Sequence, residues 1–297
     1  MNIVNILEEI EKVDGEIYER LNPRRAAMKS FFNMGKKISL AAMPLALGSM
    51  FQKAYGQTTL PAAVVDVLNF ALSLEYLEYH FYNHCIVGKT PGSAVTDVTF
   101  NFPNAASQAA ITTIRDHEKA HVDLLIGALG ASARAPIAYA DTDFRAGGAF
   151  ASVYSDYGTF LAVAQGFEDT GVRAYKGQAG NLLGSPVLQT ALQIHSVEAR
   201  HASHIRQMRT AAANGTAVYK PWVSLGASGQ ANDSGVAAVD AVYAGEDLTV
   251  QAGANIVGIG GNAGITKAIA VESFDEPLDK ASVVTIANLF LRDGKKL

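Results

Sequence analysis

The sequence predicts an all-α protein: a four-helix bundle with a long crossover connection and an irregular C-terminal appendage that itself ends in a helix. Four long segments between Leu60 and Ala213 place apolar residues at spacings of three and four, the period of helices with one buried face. Two of those segments carry Glu-x-x-His, at Glu118 with His121 and at Glu198 with His201. The stretch from Ala131 to Gly148, ASARAPIAYADTDFRAGG, is irregular and long enough to cross a bundle from end to end. That length suits one up-down pair, a crossover and a second pair.

In chain order, residues 1–56 form an N-terminal segment like an export signal. Residues 1–22 are polar and helix-prone, a basic patch follows, and Ile38 to Phe51 is an apolar run. The run is too short for a stable span but suits the hydrophobic region of a signal. Arg24 and Arg25, with Met28 and Lys29 behind them, resemble the twin-arginine export signal, with Ala27 in place of its Phe and Pro23 in place of its Ser. Ala54 and Gly56 offer a small-residue cleavage site. The same residues also read as a basic amphipathic helix resting on the domain or on a membrane surface. The expected location is the periplasm or cell envelope, with the cytoplasm as the alternative, and no stable membrane span in the mature chain.

Residues 57–213 hold the bundle. The first helix, Leu60 to Val87, has the stripe Ala71, Leu74, Glu75, Glu78, Phe81, Tyr82 and Cys85, with Pro61 near its start and Gly88 past its end. After a Pro- and Gly-containing loop, in which VTDVTFNF reads as extended, the second helix runs from Asn104 to Leu129, with Gly130 ending it. Its stripe is Ile111, Ile114, Glu118, His121, Val122 and Leu125. The third helix spans Phe150 to Ala179 with a break near Asp156 to Gly158, and Phe160, Ala164, Phe167, Glu168, Gly171 and Tyr175 face inward. The fourth takes Ser185 as N-cap and Pro186 as first residue and runs to Ala213, with Ala191, Ile194, Glu198, His201, Ile205 and Met208 inside. Residues 214–297 shift to Gly, Ala, Ser, Asn and Val. AVDAVYAG, LTVQAGANIVGIG and KAIAVESF read there as weak strands, and DEPLDKASVVTIANLFLRDG as a capped terminal helix. This tail is expected to pack on the bundle as an appendage.

Composition narrows the function. A formal net charge of −4 gives no basic field for nucleic acid, so no such partner is expected. A single cysteine, Cys85, rules out an internal disulfide and any cysteine-based metal cluster, and reads as a small buried hydrophobe. Any metal must be held by histidine and carboxylate.

The glutamates are distributed accordingly. Between Glu19 and Glu246 the chain has only Glu75, Glu78, Glu118, Glu168 and Glu198, and all five fall on inward stripes. Carboxylates on apolar faces cost several kcal/mol unless paired or metal-bound. A Glu and a His three residues apart lie one turn apart on one helix face, where both reach one ion. Two such helices plus one Glu from each of two others make the ligand set of a dimetal carboxylate site: Glu75, Glu118, His121, Glu168, Glu198 and His201. Four carboxylates, two neutral imidazoles and two divalent ions balance in charge. The ligand mixture favours iron or manganese over zinc, magnesium or calcium, so two Fe or two Mn ions per chain are expected. Glu118 and Glu198 are cast as bridging, Glu75 and Glu168 as terminal.

Glu75 is preferred to Glu78 because Tyr82 follows Glu75 by seven residues, just as Tyr175 follows Glu168. Tyr82 and Tyr175 are the candidate catalytic residues, as radical carriers or hydrogen-bond donors, against the alternative of core aromatics with a bonded hydroxyl. Glu78 is open as a seventh ligand, a proton shuttle or the partner of a histidine. His117, His195 and His204 flank the motifs as supporting or surface groups, and His80 and His84 point off the stripe. The competing account of the six residues is a hydrogen-bonded polar core without metal.

The phrases LNFALSLEYLEYHFY, DHEKAHVDLLIGALGA, FEDTGVRAYKGQA and SFDEPLDKASVVTIANLF resemble the ferritin-like superfamily. Within it they are similar to a bacterial ferritin-like family that takes in plant desiccation-related and fungal stress-response proteins. The resemblance covers about residues 58–295 and implies a di-iron or di-manganese bundle without fixing a reaction. The leading expectation is an exported stress-defence protein that uses O2 or H2O2, as a di-iron oxidase of the ferroxidase kind or a peroxide-decomposing oxidoreductase. Two alternatives stay open: a non-catalytic desiccation or stress protein with a structural metal site, and a manganese catalase-like enzyme. A homodimer is compatible with the reading, and a mineral-storing cage is not expected.

Overall fold

The computed structural model describes residues 60–88, 100–226, 229–230 and 233–297. The export-signal-like segment and most of the expected VTDVTFNF extension lie outside the described residues. No helix among the described residues is long and apolar enough to cross a membrane.

Four long helices form the bundle: α1 (Ala62–Val87), α2 (Ala105–Leu129), α3 (Tyr157–Ala179) and α4 (Leu188–Ala212). Along their lengths α1 packs on α2 and α3 on α4. Helix α1 and the segment 160–175 of α3 are buried on nearly every side, so they are the central pair. Helices α2 and α4 each bury one stripe and face solvent elsewhere, and every residue expected on those two stripes is buried.

The ends follow local chemistry. Gly88 closes α1 in the left-handed conformation at φ 67°, its N–H donating to the His84 carbonyl. The Asn104 side chain accepts from Ser107 N at 2.8 Å to start α2. Helix α3 begins later than Phe150, because Asp156 is extended and its carboxylate accepts from Thr159 N at 2.6 Å. Residues 150–155 instead form turns that bury Phe150, Val153 and Tyr154. Helix α4 also begins later than expected: Ser185 and Pro186 belong to the preceding turn, where the Ser185 hydroxyl accepts from Val187 N, and Val187 precedes the first helical residue.

The tail differs most from the sequence reading. AVDAVYAG is a 3-10 helix at Ala237–Tyr243, and KAIAVE is a short helix, α5 (Lys267–Glu272), capped by Thr266. Among the described residues of the tail only Val250–Gln251 (β1) and Ala254–Asn255 (β2) pair as strands, antiparallel, with Val250 opposite Asn255. Glycine-rich sequence offers too few side chains to cover a sheet, and contact with the bundle decides its conformation. The terminal helix, α6 (Lys280–Ala287), forms as expected, with the Asp279 carboxylate accepting from Ser282 N at 2.9 Å.

Buried polar groups fasten the tail to α3 and α4. Arg206 forms a two-pronged pair with Asp169, at 2.8 and 2.7 Å, and reaches Asp233 at 3.0 Å. The Tyr243 hydroxyl donates to the same Asp169 at 2.6 Å. Arg173 pairs with Glu246 at 2.8 Å and donates to the carbonyls of Val242, Ala244 and Glu276. At Gly177 the tail backbone crosses α3 so closely that a Cβ there would lie 2.0 Å from the Leu278 carbonyl oxygen.

Candidate metal centre

Each helix delivers its glutamate by periodicity alone. Glu75, Glu118, Glu168 and Glu198 are all fully buried, and His121 and His201 remain only 8% and 5% exposed. One atom from each of Glu75, Glu118, His121 and Glu198 lies within a sphere of mutual separations no greater than 4.8 Å, and the same holds for Glu118, Glu168, Glu198 and His201. Either group could hold a metal ion. Glu118 and Glu198 belong to both, while Glu75 and Glu168 each belong to one. Glu78 belongs to neither.

Both histidines face inward through Nδ1. His121 Nδ1 is 3.1 Å from Glu75 Oε2, Glu118 Oε2 and Glu198 Oε1 alike. His201 Nδ1 is 2.9 Å from Glu118 Oε1 and 3.1 Å from Glu168 Oε2. One nitrogen proton cannot serve three acceptors at once. Two donor atoms held at a right angle, each about 2.1 Å from a common ion, stand about 3 Å apart, so these separations match a ligand shell as well as a hydrogen-bond set. Glu118 Oε1 and Glu198 Oε1 lie near a histidine nitrogen without a well-directed hydrogen bond, and Glu198 Oε2 is buried without any, which a core satisfied by hydrogen bonds alone would not leave. The residues therefore fit a pair of cations.

Electrostatics report the same crowding. Burial, then Glu118 and Glu75, push Glu198 well above the usual carboxylate range, and burial, then Glu168, raise Glu118. Burial also raises Glu78 well above the usual carboxylate range, helped by Glu198, Glu75, Glu118 and Glu168. Burial by itself would lower His121, but Glu75 and its hydrogen-bonded carboxylates raise it well above normal. Without cations, the crowding of these groups favours their protonated forms.

The tyrosines are crossed between pairs, which the seven-residue spacing does not reveal. Tyr175 on α3 donates to Glu75 Oε1 on α1, and Tyr82 on α1 donates to Glu168 Oε1 on α3. Each outer carboxylate thus has one oxygen on a tyrosine and the other toward a histidine. Burial and the neighbouring carboxylate keep both phenols protonated.

Among the flanking histidines, His117 reaches the cluster, its Nδ1 lying 2.9 Å from His201 Nε2 with the rings stacked. His195 bonds the Val172 carbonyl instead, and His204 is exposed. His80 and His84 turn toward the crossover, His80 onto the Ile137 carbonyl and His84 against Tyr139 and Tyr154. Cys85 is buried, and burial pushes its thiol up. Gly171, expected on the inward stripe, has a role that the periodicity does not disclose: a Cβ there would stand 3.1 Å from Glu198 Oε2 and 3.2 Å from Glu78 Oε1, so its missing side chain makes room for both carboxylates.

A model of the ferritin-like domain matches residues 63–211, half the chain, which is the span of α1 to α4. The chain belongs to the ferritin-like family. No curated protein and no solved structure is significantly similar to it. Within this ferritin-like domain, an opening of about 670 Å3 between α2 and α4, lined by His117, His121, Arg200, His201 and His204, leads from solvent to both inward histidines.

Proposed function

We propose that this ferritin-like domain binds two iron or two manganese ions and uses them to reduce O2 or H2O2, oxidising Fe(II) or consuming peroxide. The observation that carries this reading is the six-residue cluster with two shared carboxylates, joined to solvent by a histidine-lined opening. Glu75 and His121 would hold one ion, Glu168 and His201 the other, and Glu118 and Glu198 both. When bound, such a pair supplies two redox centres and two Lewis acids to one oxidant molecule. The chain's own part is electrostatic and positional. Four carboxylates offset the charge of two divalent ions, and Tyr82 and Tyr175 fix the outer pair by a hydrogen bond from behind. The opening brings ions and protons to the histidine side.

That opening favours chemistry over a metal that only holds the helices together, since a purely structural site needs no access. The same ligands suit a manganese catalase-like enzyme, which metal content separates from an iron oxidase. A role in stress or desiccation defence, and export through the twin-arginine-like segment, rest on sequence resemblance and complete the proposal.

The test is elemental analysis of protein purified without added metal, beside the Glu118→Ala, Glu198→Ala double variant, followed by Fe(II) oxidation and peroxide assays. Two Fe or Mn per chain, lost in the variant, with turnover in either assay, supports the reading. A metal-free chain that also takes up neither ion on reconstitution would sink it.

A further inference from the structure

On the side of the cluster away from the histidine opening, a second cavity lies between α1, α3 and the tail. Its walls include Leu74 from α1, Val163 and Phe167 from α3, Val239 from the 3-10 helix, and Ile286 and Phe290 from the end of the chain. The space open to the centre of a water-sized molecule is about 20 Å3, enough for one very small molecule and nothing larger. Only two lining side chains are polar. The Thr170 hydroxyl is turned back onto the Gly166 carbonyl at 2.6 Å, leaving Glu78 as the one polar side chain available to an occupant.

Glu78 and Gly171 stand at the inner end. A Cβ on Gly171 would touch Glu78 Oε1 and Glu198 Oε2 together, so the floor of the cavity is the back of the carboxylate cluster. A slot this narrow and apolar suits a diatomic gas. Hydrogen peroxide would give up its hydrogen bonds to water there and regain few, and a charged reductant would lose far more. Both have the histidine-lined opening on the opposite face.

We propose that this slot is a dioxygen site, a dry route by which O2 reaches the cluster past Glu78, with the tail supplying its outer wall. The proposal rests on the oxidase reading and names O2 as the oxidant that this side serves, while ions, protons and peroxide use the histidine side. Residues 237–243 and 286–290 therefore belong to the working part of the molecule.

Xenon, an apolar probe, tests the slot in pressurised crystals of the full chain, together with the Val163→Phe and Ala287→Phe variants, which fill it from separate walls. Xenon is expected in the wild-type slot and in neither variant. In the metal-loaded protein, each variant is expected to raise the KM for O2 by about ten-fold while leaving the rate with H2O2 within about two-fold. Two variants guard against one failing to fold. No xenon in the wild-type slot, or equal slowing with both oxidants, overturns the proposal. If the wild type oxidises Fe(II) with neither oxidant, the oxidase reading falls separately, and xenon still decides whether the slot admits a gas.

Discussion

Tyr175 on α3 donates a 2.5 Å hydrogen bond to Glu75 on α1, and the reverse pairing joins Tyr82 on α1 to Glu168 on α3. The two central helices thus hold each other's carboxylates, and each phenol aims one carboxylate oxygen away from the cluster so that the other faces in.

Removing one phenol should register in stability. Tyr175→Phe keeps the ring but leaves Glu75 Oε1 buried without a donor, a loss of about 1–3 kcal/mol. Urea unfolding of the chelated protein measures it, and Tyr82→Phe should match. An unchanged midpoint would mean that the bond contributes nothing net.

Metal stoichiometry should separate shared from unshared carboxylates. Glu75→Ala is expected to retain about one ion per chain, since Glu168 and His201 keep their group, whereas Glu118→Ala removes a member of both groups and weakens both. Equal stoichiometry in the two variants would contradict the division into shared and outer ligands.

The pH dependence has a definite sign. Burial would lower His201, but Glu168 and Glu118 overcome it and raise its pKa from 6.5 to about 11 in the metal-free protein. A folded-state pKa above the unfolded one gives stability that is fully present below 6.5 and fades as pH rises toward 11. The chelated protein should therefore melt at lower temperature at pH 9 than at pH 6.5. Metal must displace that proton, so metal affinity should rise over the same range. Thermal scans with chelator and with metal would show opposite slopes. Parallel slopes would argue against ions at His201.

Gly177→Ala tests the tail contact. The new methyl meets a backbone carbonyl, not a flexible side chain, at 2.0 Å, so either α3 or the strand of chain around Leu278 must shift. A cost of about 2 kcal/mol or more is expected. Protease cleavage within residues 273–279 should accelerate alongside, and unchanged cleavage would show that the crossing relaxes without releasing the tail.

Arg206→Gln should be more severe, at about 3–5 kcal/mol, because it leaves the buried Asp169 and Asp233 without their shared cation. Denaturant unfolding reads it directly.

What the sequence discloses, and what it hides, follows from which forces act locally. Helix periodicity and the rarity of internal glutamate identify the stripes of α2 and α4 and bring Glu75, Glu118, Glu168 and Glu198 to one place, since every turn of an amphipathic helix repeats the same instruction. Helix α3 starts later than its apolar pattern because Asp156 supplies the side-chain cap, and α4 starts after Pro186 because the Ser185 hydroxyl satisfies Val187 N outside the helix. The β-branched residues of the tail follow strand preferences, yet Val239 and Val242 are buried on a 3-10 turn. The crossed Tyr–Glu bonds and the space left by Gly171 depend on how two helices meet, which no single-helix pattern encodes.

The Arg173 guanidinium also bears on when the molecule can acquire its native form. Its partners at Val242, Ala244, Glu246 and Glu276 are made as much as 103 residues later in the chain. A ribosome that has released α1 to α4 has exposed a buried-type arginine with nothing yet to receive it. Contacts so distant in sequence form late. The α3–α4 half of the bundle is thus expected to mature only once residues 242–276 have emerged, and whatever fills the cluster would enter after the tail has docked.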